Sequence, residues 1–196
     1  GDTIQEAVKA AYAAADLIHW EGSWYRRDIG YRALCRLYAT IKPVVGIVMG
    51  SDSDLPVMRA AGEWLESMQI GFELTVTSAH RTPEHAAAYA REAQGRGLKV
   101  IIAGAGMAAH LAGVLAAHTT LPVVGVPLNA SSLGGLDALL STVQMPLGVP
   151  VATMGIGAPG AKNAAVFAAR MLALNDAKLR ERLEEYAKTM AEEVVA

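Results

Sequence analysis

The sequence is poor in cysteine, in aromatic residues and in excess charge of either sign. Its 196 residues include one cysteine, Cys35, so no disulfide can form within the chain and no zinc site can be built from cysteines. The net charge of -2 leaves no strongly basic surface for nucleic acid or anionic lipid. We therefore expect neither a nucleic acid partner nor a membrane partner.

Long apolar runs are also missing. Runs such as 43–49 and 98–104 are much shorter than the ~20 residues of a membrane-spanning helix. Charged residues at Asp2, Glu6 and Lys9 interrupt the apolar segment that a secretory signal requires. Hydrophobic residues nevertheless make up 53% of the chain, enough to support a folded core. These features predict a compact cytoplasmic protein with more apolar surface than a monomer needs.

From Pro43 onward, apolar runs alternate with helical stretches. Strands are predicted at 44–49, 72–77, 99–103, 122–126 and 150–154. Helices are predicted at 54–69, 83–96, 107–118, 132–141 and 160–174, followed by a charged amphipathic helix at 176–194. Alternation of this kind implies right-handed crossovers and a parallel sheet covered by helices on both faces. The predicted fold class is therefore a three-layer α/β domain.

The N-terminal residues follow a different pattern. An Ala-rich stretch to about Ile18 predicts a helix capped by Asp2 or Thr3, with Glu6 completing a capping box. The segment that follows is aromatic and basic, without a regular period. We expect an N-terminal extension over 1–42 and a main domain over 43–196.

In a parallel α/β sheet, ligands bind beyond the carboxyl ends of the strands. The first strand is followed by Gly50-Ser51-Asp52-Ser53-Asp54, and a Gly-Ser loop that opens a helix suits a phosphate group. The alternative is an ordinary turn capped by Ser53 or Asp54. Since no Walker lysine follows, the loop is not that of an NTP-hydrolysing enzyme.

The second predicted strand is followed by Ser78-Ala79-His80-Arg81-Thr82-Pro83. Pro83 suits the first turn of the next helix and Thr82 suits its cap, so His80 and Arg81 belong to the loop. A guanidinium suits a phosphate or carboxylate, and an imidazole titrates near pH ~6.5. His80 and Arg81 are therefore candidate site residues, although a single histidine is more often structural.

The third predicted strand ends in Gly104-Ala105-Gly106-Met107-Ala108-Ala109-His110. The spacing matches a dinucleotide-binding pattern, but the acidic residue expected about 20 positions later is missing. Small residues here more simply allow a substrate ring to approach the backbone. His110 is either a ligand contact or a structural residue at the start of a helix.

Motifs for several other chemistries are missing. The sequence contains neither a zinc-binding H-E-x-x-H motif nor a G-x-S-x-G nucleophile elbow, which excludes metal hydrolysis and acyl transfer of those types. His19, His85 and His118 have no metal-ligand spacing, so we interpret them as structural or solvated. The fourth and fifth strand ends carry no charged catalytic candidate.

Taken together, three blocks resemble the signatures of a purine-biosynthesis family. They are Met49-Gly50-Ser51-Asp52-Ser53-Asp54, Ser78-Ala79-His80-Arg81-Thr82-Pro83 and Ala103-Gly104-Ala105-Gly106 with Ala108-Ala109-His110-Leu111. The family is that of the N5-carboxyaminoimidazole ribonucleotide mutases, the bacterial type of aminoimidazole ribonucleotide (AIR) carboxylase. The resemblance extends in order from about Val44 to Ala173. It departs at Met107, where many members have Gly, and at Ala112, where many have Pro.

The resemblance implies a flavodoxin-like fold with a C-terminal helix, and an isomerase that moves a carboxylate from the exocyclic nitrogen to ring carbon C4. It implies His80 as the general acid and base, with Ser51, Ser53 and Arg81 on the 5′-phosphate and Asp54 on the ribose. Ser78, Gly104, Ala105, Gly106 and His110 complete the expected substrate site. The expected ligands are a ribonucleotide and CO2, with no cofactor and no metal.

The resemblance also implies a homo-octamer in which the C-terminal helix packs on neighbours. Helix 176–194 carries one apolar stripe, formed by Leu179, Leu183, Tyr186, Met190 and Val194. In a monomer the same stripe could simply cover the sheet.

Residues 1–34 are similar to a different family, the C-terminal tail of phosphoribosylamine–glycine ligase. The resemblance rests on Glu21-Gly22 and on Tyr25-Arg26-Arg27-Asp28-Ile29-Gly30-Tyr31-Arg32-Ala33-Leu34. The ATP-binding body of that ligase is absent from this sequence, so the tail cannot supply ATP-dependent activity here. The alternative is an unrelated helical extension.

Two further functions remain open at this point. One is direct carboxylation of AIR by free CO2, which composition does not distinguish from mutase activity. The other is a non-catalytic, flavodoxin-like module that binds a nucleotide or flavin, in which His80 would have no chemical role.

Overall fold

A computed structural model of the protein describes residues 4–20 and 42–195. The strands are β1 Val45–Met49, β2 Phe72–Val76, β3 Val100–Gly106, β4 Val123–Leu128 and β5 Ala152–Thr153. The helices are α1 Ile4–Ala15, α2 Leu55–Ser67, α3 Pro83–Arg96, α4 Leu111–Ala117, α5 Leu136–Val143, α6 Ala158–Ala173 and α7 Ala177–Val195. A 3₁₀ turn at Asp52–Asp54 leads into α2.

The five strands form one parallel sheet in the order β2-β1-β3-β4-β5. From β1 the chain crosses to β2 on one side and then returns to β3 on the other side of β1. The strand order therefore reverses between β1 and β3, which is where ligands bind in sheets of this flavodoxin-like order. The predicted three-layer parallel α/β fold is confirmed.

Alternation along each strand separates two cores. Val45, Ile47 and Met49 of β1 face one side of the sheet, where α2, α6 and the start of α7 pack on them. Val48 belongs to the opposite core, with α3 and α4. Because successive side chains of a strand point to opposite faces, a continuous apolar run such as β1 is what a sheet covered on both sides requires.

Some predicted boundaries are shifted. The predicted helix 107–118 begins only at Leu111, because Met107 adopts a φ of 57° that a right-handed helix does not allow. The helix predicted at 132–141 begins at Leu136, after two glycines with positive φ, Gly134 and Gly135. The fifth strand is reduced to Ala152–Thr153.

The apolar stripe of the C-terminal helix is divided between two environments. Leu179 is buried, and Leu183 and Tyr186 pack against the core on the α2 and α6 side. Met190 and Val194 are exposed. The first half of the stripe therefore covers the domain, and only its far end is free to contact another molecule.

Only some of the N-terminal predictions concern residues that the structure describes. Helix α1 lies within the predicted helix, but the proposed caps Asp2 and Thr3, most of the ligase-like segment and also Cys35 lie outside the described residues. Whether 1–42 is a separate unit stays a prediction. No helix among residues 4–20 and 42–195 is both long and apolar enough to cross a membrane.

Gly160, in the first turn of α6, lies against the backbone of the preceding loop. A Cβ at this position would collide with the carbonyl group of Gly155. That loop cannot easily move away, because Met154 and Gly157 donate backbone hydrogen bonds to the sheet at 2.8 and 2.9 Å. The start of α6 is thus fixed by close backbone contact.

Two helical glycines provide a matched test of this packing. Gly160→Ala is expected to lower the free energy of unfolding by about 1–3 kcal/mol, the usual cost of overpacking, because its obstacle is backbone. Gly95→Ala in α3, where a Cβ meets nothing within 4 Å, should raise stability by up to about 1 kcal/mol. Urea unfolding at equal protein concentration measures both, and an equal effect of the two substitutions would contradict the close contact.

Candidate active site

A cleft of about 350 Å³ lies at the carboxyl ends of β1, β2 and β3. Its walls come from the three loops that follow these strands, with one contribution from the loop after β4. The lining residues are Gly50, Ser51, Ser53, Asp54, Ser78, Ala79, His80, Arg81, Ala105, Gly106, Met107, Ala108, His110, Leu111 and Ala130. Every predicted site residue except Gly104 is therefore brought to one cleft.

A larger cavity, of about 630 Å³, lies at the opposite end of the sheet. It is bordered by the residues before the strands and by the junction of α6 with α7, and its charged residues are Lys42, Lys99, Asp176 and Arg182. No histidine is among the described residues that line it. Because proton transfer near neutral pH needs a group such as histidine, the smaller cleft is the better candidate for chemistry.

The loop after β1 is a capping box. The Ser51 hydroxyl accepts a hydrogen bond from the backbone N–H of Ser53 at 3.3 Å, and the Asp54 carboxylate accepts one from the Ser51 N–H at 3.0 Å. Ser51 therefore caps the 3₁₀ turn. Asp54, one of the two caps that the alternative predicts, is the N-cap residue of α2, although its side chain makes no cap hydrogen bond there. The capping contacts do not remove this turn from the cleft, since Ser51, Ser53 and Asp54 all line it.

Burial raises the pKa of Asp54 above its usual value of 3.8. The hydrogen bonds from the Ser51 and Gly50 backbone and the charge of Arg81 act in the opposite direction, but desolvation is the larger effect. A carboxylate that is partly desolvated and held by the backbone is well suited to accept a hydrogen bond from a ligand hydroxyl.

The loop after β2 is held together by its own hydrogen bonds. The Thr82 hydroxyl accepts from the Ser78 N–H at 2.9 Å and lies 3.1 Å from the Ser78 carbonyl. The Ser78 hydroxyl accepts from the backbone N–H of Arg81 at 3.1 Å. Thr82 does occupy the N-cap position before Pro83, but its side chain bonds backward into the loop and makes no cap hydrogen bond.

The side chain of Arg81 joins two of the loops. Its guanidinium donates to the carbonyl of Gly50 at 3.0 Å, which ties the loop after β2 to the end of β1. A guanidinium carries five N–H donors, so most of the fork remains for an anionic ligand. Arg81 thereby reaches the residue that precedes Ser51, and Arg81, Ser51 and Ser53 all line the cleft.

His80 and His110 face one another across the cleft. Nε2 of His80 lies 2.9 Å from Nδ1 of His110, and the two rings are nearly perpendicular, at 73°. One proton lies between two such nitrogens, one ring donating and the other accepting. The two histidines, 30 residues apart in sequence, thus form one hydrogen-bonded pair.

The small residues at the end of β3 have different roles. A Cβ on Gly104 would collide with the side chain of Met58, so this glycine allows α2 to pack on the sheet and does not line the cleft. A Cβ on Gly106 would collide with Ala130. Gly106 therefore allows the loop after β4, which carries Ala130, to approach the cleft. Met107 has the positive φ that favours glycine, the residue that many members of the resembled family carry there.

Sequence reasoning missed some residues of this region. Ala130 lines the cleft, and its alanine side chain gives no signal in the sequence. Thr77, a buried hydroxyl at the end of β2, contacts both Thr82 and His85. A polar residue that ends an apolar run was a signal for Thr77. Within the described ranges, no group of three or more His, Cys, Asp or Glu residues is arranged to hold a metal ion.

Comparison with known proteins assigns this arrangement to one family. The family model described as AIR carboxylase matches residues 44–193. The N5-carboxyaminoimidazole ribonucleotide mutase of Pyrococcus horikoshii is 55% identical over 153 residues, which are 78% of this chain and 85% of that protein.

Two further relatives extend the comparison. The phosphoribosylaminoimidazole carboxylase of Saccharomyces cerevisiae is 53% identical over 159 residues, which are 81% of this chain but only 28% of that protein. The crystal structure of Treponema denticola PurE superposes with a TM-score of 0.71 at 28% identity, covering 78% of this chain and 94% of that one.

The raised pKa of Asp54 predicts a specific pH dependence. At pH values between 3.8, the usual pKa of the carboxyl, and its higher pKa in the folded protein, the folded protein binds more protons than the unfolded chain. The contribution of this carboxyl to stability is therefore lost as pH rises through that range. The free energy of unfolding of the unchanged protein, relative to Asp54→Asn, should therefore fall as pH rises through this window. Urea titrations from about pH 3 to pH 7 measure the difference.

Asp52→Asn, which removes an exposed carboxylate from the same turn, controls for the change in net charge. The prediction would be contradicted if the free energy of unfolding of the unchanged protein rose with pH relative to that of Asp54→Asn.

Proposed function

The chain belongs to the AIR carboxylase family, and we propose that it converts N5-carboxyaminoimidazole ribonucleotide to 4-carboxyaminoimidazole ribonucleotide in purine biosynthesis. Relatives that carry the mutase name are 51–57% identical over three quarters of the chain. The observation that carries the proposal is the His80–His110 pair at the point where the strand order reverses.

The proposed reaction proceeds through two bond changes. The N–carboxylate bond breaks, CO2 is released within the cleft, and the exocyclic nitrogen takes up a proton to give AIR. Ring carbon C4 then forms a bond to CO2 and loses its own proton. Since the aminoimidazole is an electron-rich carbon nucleophile, the protein needs mainly to keep AIR and CO2 together and to move a proton.

His80 is the proposed proton carrier for both steps. It donates a proton to the exocyclic nitrogen as the carbamate breaks, and it removes the proton from C4 after carboxylation. A single imidazole can serve in both directions because it is in the same protonation state at the end of the cycle as at the beginning. His110, whose Nδ1 lies 2.9 Å from His80 Nε2, orients the ring and lines the site.

The other loops hold the ribonucleotide. Ser51, Ser53 and Arg81 bind the 5′-phosphate, where the guanidinium supplies the opposite charge. Asp54 accepts a hydrogen bond from a ribose hydroxyl. The backbone at Ala105 and Gly106 lies against the base and CO2.

Two residues predicted to bind substrate have other contacts that argue for supporting roles. Ser78 uses its hydroxyl to hold the Arg81 backbone, and Gly104 allows close packing of Met58. We propose that both act on the site indirectly.

Direct carboxylation of AIR remains the alternative activity within the family. Relatives named phosphoribosylaminoimidazole carboxylase, from yeasts, are 53% identical, but this chain spans only about 28% of their length. The share of each relative that matches therefore favours the mutase, since the mutases match over 84–96% of their own length.

The proposal extends to the context in which the enzyme acts. We expect a cytoplasmic location, because its substrate and product are phosphorylated intermediates of metabolism. We also propose that 43–196 is the catalytic domain and 1–42 an extension, which is supported by the start of the family match at residue 44.

We further propose a homo-oligomer, an octamer by family resemblance, that uses the face of α5. The exposed side chains Leu136, Leu140 and Val143 are spaced by four and three residues along α5, and the exposed Leu133 and Leu147 flank this helix in the sequence. That spacing places apolar residues on one side of a helix, and a contiguous apolar patch on a protein surface marks an interaction site. Exposed fractions of 48% and above show that these side chains are not covered by the described part of the chain.

The activity is tested with two substrates in parallel. N5-carboxyaminoimidazole ribonucleotide alone, without ATP or bicarbonate, should be converted rapidly, and AIR with bicarbonate should react more slowly. Conversion of AIR and bicarbonate alone would identify a direct carboxylase. If neither substrate reacts while a nucleotide still binds, the non-catalytic alternative replaces the proposal.

Substitution of His80 separates chemistry from binding. His80→Asn should lower kcat by about 10²–10⁴-fold, the usual contribution of general acid–base catalysis, with ribonucleotide affinity nearly unchanged. His118→Asn, which alters a histidine outside the cleft, is the matched control and should retain activity. Loss of turnover and of binding together in His80→Asn would contradict the separate roles of His80 and Arg81.

Substitution in the α5 stripe tests the assembly. Leu140→Glu should reduce the molar mass measured by light scattering after size-exclusion chromatography, because a charge in an apolar contact is strongly unfavourable. Leu174→Glu, at an exposed leucine outside the stripe, is the control. An unchanged assembly in Leu140→Glu would exclude this face as the interface.

A further inference from the structure

His85 lies five residues beyond His80, in the first turn of α3, and is not part of the cleft lining. Its Nδ1 lies 3.0 Å from the hydroxyl oxygen of Thr77, which is buried at the end of β2. The Thr77 hydroxyl in turn lies 3.2 Å from the hydroxyl of Thr82. A continuous chain of contacts therefore leads from His85 to the loop that carries His80 and Arg81.

The direction of this chain follows from counting hydrogens. The Thr82 hydroxyl has one hydrogen, which it can donate to the Ser78 carbonyl at 3.1 Å, while its oxygen accepts from the Ser78 N–H. The contact with Thr77 is then made by the Thr77 hydroxyl as donor. With its only hydrogen used, Thr77 must accept from His85.

This arrangement forms all four hydrogen bonds at once. In the reverse arrangement Thr82 donates to Thr77 and Thr77 donates to His85, so the hydroxyl bond from Thr82 to the Ser78 carbonyl is lost. The arrangement with four bonds is preferred because it makes one more hydrogen bond with the same groups, the bond from the Thr82 hydroxyl to the Ser78 carbonyl. It requires a proton on Nδ1 of His85.

We propose that His85 is a positioning residue for the reaction, acting as an Nδ1–H donor that holds Thr77, and through Thr77 and Thr82 the loop that presents His80 and Arg81. The inference rests on the proposed function of that loop. The connection is short, since Ser78 holds both Thr82 and the backbone N–H of Arg81. Thr77 is also anchored to β1 by its own N–H, which donates to Met49 at 2.9 Å.

The test compares Asn with Asp at position 85. In Asn, Nδ2 is attached to Cγ, as Nδ1 is in His, so His85→Asn retains a donor at nearly the same place. His85→Asp has the same shape, but its ionised carboxylate can only accept. Acidic residues are favoured in the first turn of a helix, so His85→Asp should fold at least as stably as His85→Asn.

The expected result is a threefold to tenfold loss of kcat/KM in His85→Asp, on the order of one hydrogen bond, with an unchanged Tm. His85→Asn should recover most of the activity. His85→Asp and His85→Asn with equal activity would overturn the proposal, as would a loss in His85→Asp that parallels a fall in Tm.

A second measurement tests the path through Thr77. In a protein that already carries Thr77→Val, adding His85→Ala should cost little further activity, because Thr77→Val has already removed the hydroxyl that accepts from His85. Losses that multiply in the double variant would show that His85 acts by another route.

A third measurement does not depend on the proposed reaction. Imidazole ¹⁵N spectra of the unchanged protein, above the pH at which His85 is charged, should show a proton on Nδ1 and none on Nε2. A proton on Nε2 alone would overturn the hydrogen-bond direction. If the protein proved inactive on both carboxylated and uncarboxylated substrates, the proposed function would fail while this spectrum still tested the donor assignment.

Discussion

The parallel pairing of β1 with both β2 and β3 is the constraint on which the site depends. The register pairs Met49 with Val76 on one side and with Gly104 on the other. The three strands therefore end within two residues of the same height in the sheet, and the loops that follow them begin side by side. Backbone hydrogen bonds continue the pairing past the strands, since Thr77 donates to Met49 and Gly50 donates to the carbonyl of Gly104. Loops from distant parts of the sequence thereby reach the same small cleft.

The fold and the membership of the cleft could be predicted from sequence because both follow from repeating physical rules. Buried runs such as Val45–Met49 identify strands, and the polar residues that follow parallel strands gather at one edge of the sheet. What could not be predicted depends on contacts between distant residues. The contact of Gly104 with Met58 and the 2.9 Å approach of His80 to His110 arise only when helices and loops are packed.

Local backbone conformation was the other limit. The motif around Met107 favours a helix by composition, but the positive φ of that residue delays the helix to Leu111, and Met107, Ala108 and His110 line the cleft. His110 therefore occupies the N-cap position, where its ring is free to meet His80. An irregular turn that would weaken a helix is here what brings the second imidazole to the first.

The two candidate reactions differ in their proton balance, and so they make different demands on the histidine pair. Moving a carboxylate from nitrogen to carbon adds one proton to nitrogen and removes one from carbon, so the net change is zero. Direct carboxylation by CO2 releases one proton in every cycle and needs a route to solvent. A pair of imidazoles with one proton between their facing nitrogens can lend that proton and recover it without exchange with water. In the proposed mutase reaction the proton that His80 lends therefore returns to it, whereas a carboxylase would additionally have to export the proton that its histidine gains.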